Sequence, residues 1–113
     1  MSQLTTHILD ISIGKPAKDV PVALHQLIGE FHWEKIAEGI TDNDGRVKNL
    51  LPDTHQLEFG IYKLIFHTNE YFEREGIDSF YPSVEVMFNI DSNQHYHVPL
   101  LLSPYGFSTY RGS

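Results

Sequence analysis

Seven histidines in 113 residues is a high count, and histidine is the side chain whose unperturbed pKa lies nearest neutrality. His95 and His97 stand two apart in a stretch that reads as a strand, so both imidazoles leave one face while Tyr96 leaves the other. Three readings of the pair are open. Both rings can be solvated surface groups. Both can ligate zinc, with His7 as a third ligand and water in the fourth position, although His-x-His without a close carboxylate is an unspecific signal. Alternatively, a neutral histidine can act as a general base on water, with an arginine stabilising the charge that develops on a carbonyl oxygen. Arg46 is the best-placed arginine for that task, because it follows directly on the turn chemistry of Thr41-Asp42-Asn43-Asp44-Gly45 and residues flanking a tight hairpin turn have little freedom. Asp10 lies three positions from His7 and so faces the other way in a regular strand. It is expected to serve a turn or a structural hydrogen bond rather than a dyad.

The closing stretch, Tyr96 to Ser113, carries the greatest chemical density. It reads as a strand, a turn at Ser103-Pro104-Tyr105-Gly106 and a short aromatic strand. Pro99 removes one ladder donor, which implies a sheet edge, a bulge or a strand end near the histidines. Chain ends commonly fray, but Phe107, Tyr110, Arg111 and Ser113 compose an end suited to packing and use.

The elements that must position these residues follow from alternation and breakers. Strands are predicted over Leu4–Ile13, with His7 in the middle, then Val20–Ile28, Phe31–Thr41 with Trp33, Gln56–Thr68 and Ser83–Ile90, ahead of the closing hairpin. Thr68 to Gly76 changes character. A capping residue, early acids and a closing glycine predict one short helix there, whose Glu70, Glu73, Arg74 and Glu75 read as a solvated face. Trp33, Phe59, Phe66, Phe88 and Leu101 are expected in the core. Short strands near a dozen residues apart, with one helix, describe an all-β, two-sheet antiparallel sandwich.

Composition narrows the classes. The chain is read as one domain, residues 1–113, long enough to bury about two-thirds of its unfolded surface. It has no cysteine, which excludes disulfides, thiol nucleophiles and Cys-based zinc sites and fits a reducing compartment. Met1 leads directly into a patterned segment, so no signal peptide is expected, and no apolar run is long enough to span a bilayer. The expected setting is cytoplasmic, with no membrane partner. Eight Lys and Arg against fifteen Asp and Glu, a net charge of −7, argue against nucleic acid as a partner.

Taken together, Leu4-Thr5-Thr6-His7-Ile8-Leu9-Asp10, the turn Gly45-Arg46-Val47, Tyr96-His97-Val98-Pro99-Leu100-Leu101, Leu102-Ser103-Pro104-Tyr105 and the closing Tyr110-Arg111-Gly112-Ser113 resemble the hydroxyisourate hydrolases, the transthyretin-related enzymes of urate breakdown. The resemblance covers essentially the whole chain in order. Transthyretin, a thyroid-hormone carrier, is echoed at Trp33-Glu34, Glu58-Phe59-Gly60-Ile61-Tyr62-Lys63 and Leu102-Ser103-Pro104-Tyr105, so a non-enzymatic small-ligand carrier is the alternative. His7, Arg46, His97 and the closing tetrapeptide match the hydrolase pattern. The resemblance implies a transthyretin-like sandwich that pairs edge to edge into dimers, two of which form a homotetramer with sites at the dimer–dimer interface. It implies hydrolysis of the cyclic amide of 5-hydroxyisourate to 2-oxo-4-hydroxy-4-carboxy-5-ureidoimidazoline without a cofactor. His97, with His7, would position and deprotonate water, Arg46 would stabilise the oxyanion, and Tyr110 and Ser113 would hold the substrate. His95 has no firm place in that scheme.

Overall fold

The computed structural model describes residues 2–113. Eight strands and one helix follow in the order β1 (Leu4–Asp10), β2 (Lys15–Pro16), β3 (Pro21–Ile28), β4 (His32–Ile40), β5 (Gly60–Phe66), α1 (Thr68–Arg74), β6 (Val84–Ile90), β7 (Tyr96–Ser103) and β8 (Gly106–Thr109). They form two four-stranded sheets, ordered β2-β1-β7-β8 and β4-β3-β5-β6. Alternation decides what faces inward: along β1, Leu4, Thr6, Ile8 and Asp10 are buried while Thr5, His7 and Leu9 face out. The core between the sheets joins Leu4, Ile8, Leu100 and Leu102 of one to Leu24, Tyr62, Leu64 and Phe66 of the other.

One pair departs from the expected antiparallel arrangement. β1 and β7 run parallel, with Thr5 opposite His97 and His7 opposite Pro99. Parallel neighbours need a long crossover, and the whole second sheet lies between these two strands in sequence. The outward faces of the first strand and the histidine strand are thereby brought side by side.

Pro99 is not at a sheet edge. It is buried in β7, between β1 and β8, and the register that pairs Leu100 with Thr109 places it opposite Tyr110. Its missing N–H coincides with the end of β8, and the Thr109 hydroxyl donates to the Pro99 carbonyl instead, at 2.7 Å. Pairing then resumes where Gly112 N donates to the His97 carbonyl at 2.8 Å. The proline thus ends one run of ladder without releasing the chain.

Other local expectations shift for physical reasons. β1 stops at Asp10, whose buried carboxyl accepts from Ser12 N at 3.0 Å and from the Tyr71 hydroxyl at 2.7 Å; it bends Ile11–Ile13 into a turn and ties the strand to α1, the structural role its position indicated. Lys15–Pro16, expected in a breaker, pairs with the end of β1. The stretch before Gly60 is not strand, and Phe59 is 63% exposed rather than core. Trp33 lies on the outer face of its sheet, where Lys63 Nζ sits 4.3 Å from its ring centre. Leu101 shares the half-exposed outer face of β7, while Phe66 is fully buried and Phe88 packs against the core. Thr68 does not cap α1: His67 occupies the cap position without a side-chain bond, and the buried Thr68 hydroxyl has no hydrogen-bond partner among the described residues.

Candidate active site

Arg46 is positioned by backbone rather than by a hairpin. Asp42 N donates to the Arg46 carbonyl at 2.8 Å, and Gly45 N to the Asp42 carbonyl at 2.9 Å. The Asp42 carboxyl accepts from Arg46 N at 3.1 Å and from Asp44 N at 2.9 Å; the Arg46 N–H first, then the Asp44 N–H and the Lys48 and Arg46 charges, hold Asp42 below the usual carboxylate range against an opposing effect of desolvation. The turn does not fold back along β4. It crosses to the other sheet, where Ile8 N donates to the Gly45 carbonyl at 2.8 Å and Arg46 bridges His7. Gly45 has φ +74°, and a Cβ there would stand 2.5 Å from the Ile8 carbonyl oxygen; only glycine fits this crossing. Arg46 is held by its backbone while its side chain stays exposed.

His97 is fixed on three sides. Its strand is interior to the sheet, Gly112 bridges it across the β8 side, and the Thr5 Oγ1 atom lies 2.8 Å from Nδ1. Burial first, then the charges of His7, His95 and Arg46, hold the His97 imidazole below its ordinary value of 6.5, against a smaller opposing pull from Thr5. The ring is therefore neutral, and able to accept a proton, further into the acid range than a free histidine.

These elements enclose an open cleft of about 410 Å³. Thr5 and Thr6 of β1, Arg46 and Lys48 of the crossing segment, His97 of β7, His95, which lies just before that strand rather than in it, and Ser113 line it, with Val47 as its apolar member. No acidic residue is among them, in a chain whose net charge is −7. The cleft is thus a local cationic site on an acidic protein, suited to a polar ligand that is anionic or becomes so during reaction.

Of the residues singled out in the sequence, Arg46, His97, His95 and Ser113 meet in this cleft. His7 stands beside them on the outer face of β1, close enough for its charge to act on His97. Tyr110 does not line it; with Arg111 it lines a second cleft between the β6 and β8 sides of the sandwich, and Arg111 lies 4.6 Å from the Tyr96 ring centre. Among the described residues no group of three or more His, Cys, Asp or Glu is arranged to hold a metal ion. Thr5 and Lys48 were not identified from sequence. Thr5 lies two positions from His7 on the same strand, which is the local signal it carries, whereas Lys48 sits in the turn just after Arg46 and carries none.

Gly112 is the tightest contact. A Cβ at this position would lie 2.6 Å from His97 Cδ2, so Gly112→Ala must push the imidazole aside. A displacement of this kind is expected to lower turnover by about 10- to 100-fold without loss of folding. Steady-state kinetics beside a thermal melt test this, and full activity in the variant would show that the ring's seat is not critical.

Residues 4–112 match the HIUase/Transthyretin family. A curated 5-hydroxyisourate hydrolase of Salmonella typhimurium is 50% identical over 111 residues, covering 97% of this chain and 80% of that protein. The structure of Klebsiella pneumoniae 5-hydroxyisourate hydrolase superposes with a TM-score of 0.84 at 39% identity, covering 97% and 92% of the two chains. Sea bream transthyretin in complex with thyroxine superposes with a TM-score of 0.91 at 33% identity, covering 98% and 95%.

Proposed function

Because the chain belongs to the HIUase/transthyretin family, we infer that it is a hydrolase of urate degradation that opens the cyclic amide of 5-hydroxyisourate to 2-oxo-4-hydroxy-4-carboxy-5-ureidoimidazoline. Fold alone does not separate enzyme from carrier, since the thyroxine-bound sea bream protein shares it. The observation that carries the reading is the junction of His97, Arg46 and Ser113 in one cationic cleft, with a histidine biased toward its neutral form. A carrier of apolar ligands has no need of a poised base.

In this reading His97 takes a proton from water as the water oxygen bonds to the carbonyl carbon, and the carbonyl oxygen becomes an oxyanion facing Arg46. Collapse of the adduct breaks the carbon–nitrogen bond. The departing ring nitrogen takes the proton of the newly formed acid, leaving a carboxylate and one proton to be discharged. His7 shares in holding water, and Tyr110 and Ser113 hold substrate. No cofactor is required, because imidazole supplies the base and guanidinium the charge.

Residues 1–113 act as one domain, and the working form is a homotetramer, a dimer of dimers in the cytoplasm with sites at the dimer–dimer interface. Three features support an assembly. The catalytic cleft opens on the outer face of its sheet, β6 and β8 each end a sheet with an open edge, and Tyr110, at the end of β8, is 59% exposed. Open edges are ordinarily paired or covered, and a neighbour could bring Tyr110 to a site it does not reach within one chain.

The pH dependence of hydroxyisourate decay tests the reading. Only neutral His97 is active and its titration is displaced downward, so the catalysed rate should be level at alkaline pH and its acid-side fall should have a midpoint below the ordinary histidine value of 6.5. A rate already declining above neutrality, or level throughout the acid range, contradicts a histidine base with this environment.

A further inference from the structure

One hydroxyl stands between His97 of β7 and His95 just ahead of that strand. Thr5 Oγ1 lies 2.8 Å from His97 Nδ1 and 3.0 Å from His95 Nε2, placed there by the parallel register that sets Thr5 opposite His97. A hydroxyl has one proton, so it donates to one of these nitrogens and accepts from the other. The tautomers of the two rings are therefore coupled. If Thr5 donates to His97 Nδ1, the neutral His97 carries its own proton on Nε2 and has no lone pair left for the cleft. If Thr5 donates to His95 Nε2, His97 donates from Nδ1 to Thr5 and its Nε2 is free to act as a base.

We propose that Thr5 and His95 form a proton relay behind His97, in which Thr5 selects the His97 tautomer with a free Nε2 and passes a proton on to His95 at the exposed rim. The proposal rests on the hydrolase reading and adds two positioning residues to it. As water attacks the carbonyl carbon, its O–H bond breaks and an Nε2–H bond forms on His97. The Nδ1 proton of His97 moves to Thr5 Oγ1, and the Thr5 hydroxyl proton moves to His95 Nε2. Three bonds to hydrogen break and three form, and the positive charge comes to rest on His95 instead of His97.

Two features of the site favour that direction. The charged and titratable groups facing His97 are His7 of β1, Arg46 and Lys48 of the crossing segment and His95 itself, none of them acidic, so a cation at His97 is poorly placed. His95 is exposed and lines both the catalytic cleft and a neighbouring polar cleft containing Gln3, Asp53, His55 and Asn93. The proton that each ring opening releases can leave through that second cleft without crossing the bound substrate.

The test compares Thr5→Val, Thr5→Ser and His95→Asn with wild type, using hydroxyisourate generated in place. Loss of a proton-transfer partner is expected to lower kcat by about 10-fold or more in Thr5→Val with KM little changed, while Thr5→Ser, which keeps the hydroxyl, restores it. The double variant should be no slower than the slower single one, because both remove the same relay. In mixtures of H₂O and D₂O the wild-type rate should fall along a bowed curve, and that of Thr5→Val or His95→Asn along a straight line. Nitrogen NMR of histidine-labelled wild type should show His97 with its proton on Nδ1, and a mixture of tautomers in Thr5→Val. Wild-type kcat and an unchanged tautomer in Thr5→Val would overturn the relay alone; a wild type that leaves hydroxyisourate decay unaccelerated would overturn the hydrolase reading and the relay with it. Should Thr5→Val fail to fold, His95→Asn carries the same isotope test.

Discussion

Replacing His97 with asparagine is expected to lower kcat for hydroxyisourate opening by about 100- to 10,000-fold, the range that a positioned general base supplies. The structure explains why the loss should be chemical. The His97 backbone, not its ring, makes the bridge to Gly112, and the ring faces a cleft rather than the core. Asparagine is smaller than histidine, so the Gly112 contact is relieved and nothing is forced into the sandwich. It can hydrogen-bond to water but cannot accept a proton from it at neutral pH. Kinetics should therefore collapse while the unfolding transition stays near that of wild type. A variant that turns over at wild-type speed would remove His97 from the mechanism, and one that fails to fold would make it structural.

The second large effect is expected at Arg46. Its backbone is fixed by the Asp42 turn and the bridge to His7, so Arg46→Ala deletes a side chain without releasing the loop. Loss of a preorganised oxyanion partner costs about 100- to 1,000-fold in kcat. Arg46→Lys should recover only part, because an ammonium cannot reproduce the planar fork of a guanidinium. The division between kcat and KM is diagnostic. A fall in kcat places Arg46 against the charge that develops in the transition state, whereas a rise in KM alone would make it a substrate-binding cation and contradict the role assigned to it.

Local pattern carried much of this architecture. Alternation located the principal strands, and the spacing of His95 and His97 put both on one face before any partner strand was known. What local pattern cannot carry is which strands become neighbours, and the site depends on that. The parallel pairing of β1 with β7 turns Thr5 from an ordinary strand threonine into the group between two histidines. The Asp42–Gly45 turn was legible, but its crossing to the other sheet was not, because the reason lies in a close approach to Ile8. Pro99 left an edge, a bulge and a strand end open, and only the partner strand chooses among them: its missing donor faces the place where β8 ends.

Side chains at the ends of strands were the least legible. Phe59 precedes β5 and stays exposed, and Trp33 packs on an outer face under Lys63, because an aromatic residue near a strand end can be satisfied without entering the core. Tyr110 shows the same limit at the site. Its place in the closing tetrapeptide ties it to His97 by resemblance, yet within one chain it lines a different cleft.

The most direct test follows the ultraviolet absorbance of freshly generated hydroxyisourate with wild type, with His97→Asn and with wild type plus a chelator. Decay much faster than the spontaneous rate, surviving the chelator and lost in the variant, is the result expected of a metal-independent hydrolase with His97 as its base. Decay no faster than the spontaneous rate would contradict the account and return the chain to the carrier class, and decay abolished by the chelator alone would replace the histidine base with a metal centre.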